Sequence, residues 1–196
     1  SYFLNDGTLK ENTDYEKEMA VKFAQKNQFL WFWPTLHIIV TTLRCNHKCQ
    51  YCHAAVAPMT AKNLDMTIET AKKTVDTIFF TSSNNLTIEF QWWESLVNWD
   101  VVKYVVEYAN IKAQHLQKNV TFALVTNLTL MDEEKLKYLI DNNVQISTSL
   151  DWDEELHNFN RTFKEWNSFE NVTYWIKRIN GEYEKRWIDT KVWALL

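Results

Sequence analysis

The 196 residues contain only two glycines, Gly7 and Gly181, where average usage would give about 14. No stripe of basic residues runs along the chain: 21 Lys and Arg are scattered among 25 Asp and Glu, for a net charge of -4. That balance lacks the cationic surface that phosphate backbones require, so nucleic acid is not an expected partner. No apolar run approaches the roughly 20 residues that span a bilayer, the densest being Leu36-His37-Ile38-Ile39-Val40. The start lacks a charged segment followed by an apolar one. No membrane is expected, and the protein reads as cytoplasmic. A spread, even-numbered set of cysteines is also missing. The three present, Cys45, Cys49 and Cys52, crowd into eight positions and read as ligands rather than as a disulfide framework.

What remains has the make-up of a globular protein, 46% hydrophobic and 23% charged, with room for one core. A segment from Asp14 to Asn27 places Tyr15, Met19 and Phe23 near one helical face and reads as a lead-in element. Beyond it, apolar and β-branched runs alternate with helical patterns. Strands are expected at Leu36–Leu43, Leu86–Phe90, Val120–Thr126, Val144–Leu150 and Thr190–Leu196, and helices at Thr67–Phe80, Trp99–Leu116, Asp132–Asn142 and Phe169–Ile179. Strand, helix, strand in this order means parallel pairing through right-handed crossovers, hence an α/β barrel or a doubly wound sheet. In either, ligands gather at the carboxyl ends of the strands. The chain begins at Ser1 and stops inside an apolar strand-like run, so it reads as a C-terminally incomplete fragment.

Just past the first strand, Cys45-Asn46-His47-Lys48-Cys49-Gln50-Tyr51-Cys52 sets three soft sulfur donors on one loop. Such donors select iron–sulfur clusters, zinc or copper(I). A [4Fe–4S] cluster held by three cysteines leaves one iron open to a substrate or cofactor. A structural zinc site completed by His47 or His53 is the alternative, although its usual context is a small domain that cannot fold without metal.

The run Thr41-Thr42-Leu43-Arg44-Cys45-Asn46-His47-Lys48-Cys49-Gln50-Tyr51-Cys52, with Tyr51 as the aromatic before the last cysteine, resembles the radical S-adenosylmethionine (radical SAM) enzymes. The likeness implies a partial (βα)6 radical SAM barrel over residues 34–196, truncated after about the fifth strand, preceded by a lead-in at 1–33. Ile88-Glu89-Phe90-Gln91-Trp92-Trp93-Glu94 stands where peptide-modifying members carry a Gly-Gly-Glu segment. Ser147-Thr148-Ser149-Leu150-Asp151 leads into His157-Asn158-Phe159-Asn160-Arg161 as in the same subgroup. Pro34-Thr35-Leu36-His37-Ile38 and Asn127-Leu128-Thr129-Leu130-Met131-Asp132 look most like the His-Xaa-Ser system maturases, with anaerobic sulfatase-maturating enzymes as the nearest rival.

The resemblance implies Cys45, Cys49 and Cys52 as metal ligands of a [4Fe–4S] cluster, and S-adenosyl-L-methionine as a cofactor cleaved reductively to a 5′-deoxyadenosyl radical. It implies a ribosomally made precursor peptide as substrate and a reductant protein as partner. Cofactor-binding roles would fall on Tyr51, Trp92, Trp93, Glu94, Thr126, Ser149 and Arg161: Glu94 toward the SAM ammonium, Arg161 as a fork for its carboxylate, Ser149 and Thr126 toward the ribose. The competing readings are plainer. Glu94 could be a solvated helix-start carboxylate, Arg161 a surface ion pair and Asp151 a turn residue. His47 and His53 flank the ligands and could donate to sulfur. Trp99 and Trp175 sit on helical patterns and read as packing residues.

Seven tryptophans, at 33, 92, 93, 152, 166, 187 and 193, occupy places where the resembled enzymes would have or readily accept glycine. Taken literally, they imply strained turns, an intruded SAM site and a degenerate cluster-binding domain without turnover. The other reading is that these codons are UGA, translated as glycine in the host. Asn-, Lys- and Ile-rich, Pro-poor usage suits the AT-rich genome this would need.

Overall fold

The computed structural model describes residues 3–5, 8–10, 17–19, 21–22, 34–163, 167–186, 188 and 192–195, in two compact units, Ser1–Pro34 and Thr35–Leu196. In the first, Phe3–Asn5 pairs antiparallel with Thr8–Lys10, setting Leu4 opposite Leu9, and the chain is helical at 17–19 and 21–22. The rest of the expected lead-in helix lies outside the described residues.

The second unit is built on five parallel strands: β1 (Leu36–Ile39), β2 (Asn85–Phe90), β3 (Asn119–Val125), β4 (Val144–Ser149) and β5 (Trp193–Leu195). Their order in the sheet is their order in the chain. A doubly wound sheet would reverse direction at a switch point, so the unbroken order selects the barrel-like alternative. Register is continuous across it: Leu36 lies beside Thr87, Ile88 beside Phe122, Leu124 beside Ile146 and Thr148 beside Ala194.

The crossovers are α1 (Ile68–Ile78), α2 (Trp99–Leu116), α3 (Glu133–Asp141), and the pair α4 (Glu154–Asn160) and α5 (Ser168–Lys185). Side chains that accept from orphan N–H groups start most of them: Thr67 from Thr70, Asp132 from Lys135, Asp153 from Leu156 and Asn167 from Glu170. The 18-residue α5 runs six residues past the expected end, because Tyr183 continues the buried stripe of Val172, Trp175 and Ile179. β1 is shorter than expected; after Ile39 the chain leaves the ladder, and Thr41, Thr42 and Arg44 are buried by tertiary contacts instead.

Parallel sheets usually bury both faces and read as continuous apolar runs. Here they alternate. Leu86, Ile88, Phe90, Phe122, Leu124, Val144 and Ile146 are buried in the core with the inward stripes of α1, α2, α3 and α5. The intervening Thr87, Glu89, Thr121, Ala123, Gln145 and Ser147 stay partly or fully open to solvent. The sheet therefore has one dry face and one polar face. Trp99, edge-on to Tyr138 at 5.3 Å, and buried Trp175 pack on the dry side, as their helical positions imply. No helix among the described residues is long and apolar enough to cross a membrane.

Candidate functional site

The cysteine loop leaves β1 at the carboxyl end of the sheet, and its root is pinned before the first cysteine. Arg44, 6% exposed, forks onto Asp65: Nε donates to Oδ1 at 2.8 Å and Nη2 pairs with Oδ2. Its Nη1 donates to the Met59 carbonyl (2.7 Å), and Thr42 donates its hydroxyl to the same Asp65 (2.6 Å). Burial disfavours the Asp65 charge, but these hydrogen bonds outweigh it and hold the carboxyl below its ordinary range. Sequence reading placed Arg44 in the motif without a role. A planar fork requires a carboxylate partner, and nothing in the local sequence says which one.

The neighbouring strand-end loops are stitched to this one. Asn46 Nδ2 donates to Thr129 Oγ1 (2.8 Å), while Asn127 Nδ2 donates to Asn46 Oδ1 (2.9 Å) and approaches Cys45 Sγ (3.9 Å). Glu94, fully buried after β2, accepts from the Thr126 hydroxyl (2.8 Å) and the backbone N–H groups of Asn127 (2.8 Å) and Leu96 (3.1 Å), and its own N–H donates to the Arg44 carbonyl. On the far side, Lys48–Cys49 forms a two-residue antiparallel ribbon with Arg161–Thr162, and the Gln50 N–H donates to the Asn160 carbonyl (2.7 Å). The loops after β1, β2, β3 and β4 thus close around one place.

That place is a cavity of about 130 Å³ lined by Cys45, Cys49 and Cys52 with His47, Val56, Trp93, Val125, Thr126, Asn127, Ser149 and Arg161. All three cysteines and Trp93, Thr126, Ser149 and Arg161 of the expected set meet there. Tyr51, Trp92 and Glu94 do not line it. Tyr51 turns outward, donates to Asp151 (2.8 Å) and carries the Arg161 guanidinium over its ring at 5.2 Å. Trp92 is 49% exposed. Glu94 lies behind Thr126 and Asn127, so its carboxylate orders the loop after β3. It is neither solvated nor facing the cavity. Asn127, Val125 and Val56 were missed as site residues, although the rule that ligands gather at strand ends covers the first two.

Arg161 is not a surface ion pair. Its Nε donates to Asp151 Oδ1 (3.1 Å), with the two side chains 13% and 10% exposed. Burial works against the Asp151 charge, yet hydrogen bonds from Tyr51 and Asn160 and the Arg161 charge keep its carboxyl below the usual range. Asp151 is more than a turn residue: it joins the cysteine loop, through Tyr51, to the segment after β4. Its backbone N–H donates to Nδ1 of buried His157 (3.2 Å), which assigns the ring proton to Nε2, facing Ser168 Oγ at 3.1 Å.

The donor set suits a soft metal centre. Burial, with the Glu94 charge adding to it, pushes the Cys45 thiol up to about 12, and burial also raises Cys49. Such thiols become thiolates when a metal replaces the proton. The His47 backbone N–H points at Cys45 Sγ (3.4 Å). His47 itself is 1% exposed, stacks on Phe163 at 5.1 Å, and has neither ring nitrogen hydrogen-bonded. Burial, then the Arg161 charge, lowers its pKa to about 4, so the ring is neutral with one N–H to give. Among the described residues no three His, Cys, Asp or Glu side chains come together closely enough to hold a single metal ion. All three thiols line the one cavity, and soft sulfur donors of this kind suit an iron–sulfur cluster.

Two loop residues are strained. Trp92 has φ 71° and Trp93 φ 49°, left-handed values that cost an L-residue about 1–2 kcal/mol each. The Trp93 indole N–H donates to the Ala55 carbonyl (3.0 Å), holding the ring at the cavity wall. Trp152 is exposed and β5 includes Trp193, while positions 33, 166 and 187 lie outside the described residues.

A parallel strand-helix barrel with three cysteines on the first loop defines a cluster-binding α/β class. The chain belongs to the Radical SAM superfamily, whose family model matches residues 39–183. It is 30% identical over 114 residues to an uncharacterized protein of Methanocaldococcus jannaschii, covering 58% of this chain and 37% of that one. It is 26% identical over 134 residues (62% and 28%) to the radical SAM cyclopropyl synthase TigE of Paramaledivibacter caminithermalis. To the cysteine-type anaerobic sulfatase-maturating enzyme of Clostridium perfringens it is 28% identical over 122 residues (60% and 32%). Among solved structures, native anSMEcpe with bound AdoMet and Kp18Cys peptide superposes with TM-score 0.63 at 25% identity, covering 81% of this chain and 41% of that one. The chain spans about a third of the length of the curated relatives it matches. A [4Fe–4S] cluster and S-adenosylmethionine are the cofactors of this superfamily; one curated relative and the solved neighbour support the sulfatase-maturating likeness, and the His-Xaa-Ser subgroup is supported only loosely.

Proposed function

We propose that this chain is the cofactor-binding core of a radical SAM enzyme that modifies a peptide. The observation that carries it is the ring of Cys45, Cys49 and Cys52 around one cavity at the carboxyl end of a parallel barrel, inside the segment that matches the family. Those three side chains would hold a [4Fe–4S] cluster. When bound, the cluster supplies one-electron reductive cleavage of S-adenosylmethionine, the source of a hydrogen-abstracting 5′-deoxyadenosyl radical, with the electron coming from a reductant protein.

The protein's own share is binding, orientation and exclusion of water. Arg44 and Asp65 fix the loop that carries the ligands. Asn127 and the His47 backbone offer N–H donors beside Cys45 Sγ, and His47, its ring nitrogens unpartnered, lines the same cavity. Ser149 brings a hydroxyl, and Arg161 a guanidinium, to the cavity wall where the ribose and carboxylate of SAM would lie, whereas the Thr126 hydroxyl is committed to Glu94 and the Leu128 N–H. Glu94 orders the Thr126–Asn127 turn from behind, which supports a positioning role over direct contact with the SAM ammonium. A peptide substrate is supported by a relative named for sulfatase maturation and by the peptide-bound neighbour. The polar sheet face below the cavity gives such a substrate hydrogen-bonding surface.

Anaerobic reconstitution with iron and sulfide, followed by electron paramagnetic resonance of the reduced protein with and without SAM, tests this reading. A [4Fe–4S]⁺ signal that changes on adding SAM is expected; a colourless protein holding one zinc would overturn it. A second reading, a domain that binds the cluster without turnover, is favoured by the Trp93 ring at the cavity wall, and would show a signal indifferent to SAM.

A further inference from the structure

The tryptophans of this chain fall into two kinds. Trp99 (φ −56°) and Trp175 lie on helices with their rings packed on the core. Trp92 and Trp93 lie in succession on the loop after β2 with φ 71° and 49°, the only two consecutive left-handed residues among the described positive-φ set. The other members of that set have ordinary reasons for their conformation. Gln117 caps α2, and Asn143 is the second residue past α3, where left-handed backbone is common. Leu128 buries its side chain completely, and its N–H donates to Thr126 Oγ1 (3.0 Å).

Trp92 has no such return, since half its surface faces solvent. Trp93 gains one indole hydrogen bond but puts its ring where it narrows the cavity among the cysteines. Glycine alone takes this conformation without steric cost and lets a ligand approach the backbone. The rest of the chain points the same way, with ten tryptophans against two glycines.

We infer that positions 92 and 93 are glycine in the protein as its host makes it, the two codons being UGA read as glycine rather than tryptophan. The loop after β2 is then a bare-backbone wall of the cavity, and the volume now filled by the Trp93 indole belongs to a ligand lying against the cysteines. The inference rests on backbone conformation, not on the proposed chemistry: glycine at these positions is compatible with a chain that binds no cluster, and tryptophan with one that does.

The decisive experiment is peptide mass mapping of the protein purified from its native host across residues 85–98. Peptides lighter by two Trp-to-Gly differences, each an indolylmethyl group replaced by hydrogen, are expected; an intact tryptophan at either position overturns the inference. A second measurement works on the recombinant chain. Exchanging a buried or packed tryptophan for glycine lowers stability, as Trp175→Gly should here, whereas the double variant Trp92→Gly/Trp93→Gly is expected to raise the denaturant midpoint. A midpoint lowered in the double variant as it is in Trp175→Gly would remove the strain argument and the inference with it.

Discussion

The dry face of the sheet and its carboxyl end are made from neighbouring residues of the same strands, yet they are held together differently. Ile88, Phe90, Leu124 and Ile146 are almost wholly buried among apolar neighbours. A few residues farther along each strand, the buried groups are Thr42, Arg44, His47, Glu94, Ser95, Thr126 and Thr148. Several buried polar atoms there, including both His47 ring nitrogens, Ser95 Oγ and Thr148 Oγ1, have no hydrogen-bond partner, an arrangement that costs stability. The body of the sheet supplies stability and the mouth spends part of it on prepositioned polar groups, the pattern expected where function and foldability conflict.

The comparison breaks most sharply at the cysteines. Changing Cys45, Cys49 or Cys52 to Ser is expected to abolish the reconstituted cluster, read as loss of visible absorption and of the reduced-state signal, while leaving the melting of the metal-free chain nearly unchanged. Ile88→Ala should do the reverse. It is expected to lower stability by about 2–5 kcal/mol through a core cavity, measured by urea denaturation, without removing any donor from the mouth.

Arg44→Met tests the polar mouth as structure. Its partner Asp65 is left part-buried without the guanidinium and keeps only the Thr42 hydrogen bond, so a loss of about 2 kcal/mol is expected, between the limits for exposed and fully buried pairs. The sign of its pH dependence follows from the Asp65 carboxyl, which sits below its unfolded value. The contribution is present above the ordinary carboxylate range and lost as pH falls through the lowered folded value. Cys45 acts at the other end of the scale. Its thiol is raised from 9.0 to about 12, so its contribution to the metal-free fold is full below pH 9 and lost as pH rises toward 12. Urea midpoints across both ranges should show an acid limb missing in Arg44→Met and an alkaline limb missing in Cys45→Ser.

The division between dry face and mouth was partly legible in the sequence. The alternation in Leu86–Phe90 and Val144–Ser149 carries it, and the strand-helix rhythm gives the parallel order. The three cysteines announce themselves by spacing. What was not legible is partner choice. Glu94 reads as a ligand contact because of where it falls in the chain, but its oxygens are taken by Thr126, Asn127 and Leu96, from the next strand end and the next turn. Arg161 reads as an even choice between site and surface, and in the structure it is largely buried, paired with Asp151 at the cavity wall. Long-range pairings such as Arg44 with Asp65 depend on loop geometry that periodicity does not encode.

His47 sharpens the same comparison at the level of electronics. Its neutral ring has an N–H to give, and hydrogen bonds to cluster sulfurs raise reduction potential by stabilising the reduced state. His47→Phe preserves the stacking on Phe163 and removes the donor. The reconstituted protein is expected to keep its iron content and show a lower midpoint potential in a redox titration. An unchanged potential would assign His47 to packing alone.

The smallest effect is expected where the chemistry looks most like the mouth. Asp76, on the outer surface, accepts from Lys72 (2.9 Å), Lys112 (2.5 Å) and the Tyr108 hydroxyl (2.7 Å), a carboxylate, a phenol and cations as in the Tyr51, Asp151 and Arg161 group. Those hydrogen bonds hold Asp76 well below the carboxylate range. Asp76 is only half-buried and Lys72 is exposed, however, so water and salt screen the pair, an i, i+4 contact loses in side-chain order much of what it gains, and Lys112 and Tyr108 still hold the carboxylate when Lys72 is removed. Lys72→Met is accordingly expected to leave the urea midpoint within replicate scatter at physiological salt. A loss as large as that of Arg44→Met would mean that burial, rather than partner chemistry, does not distinguish the two ends of this fold.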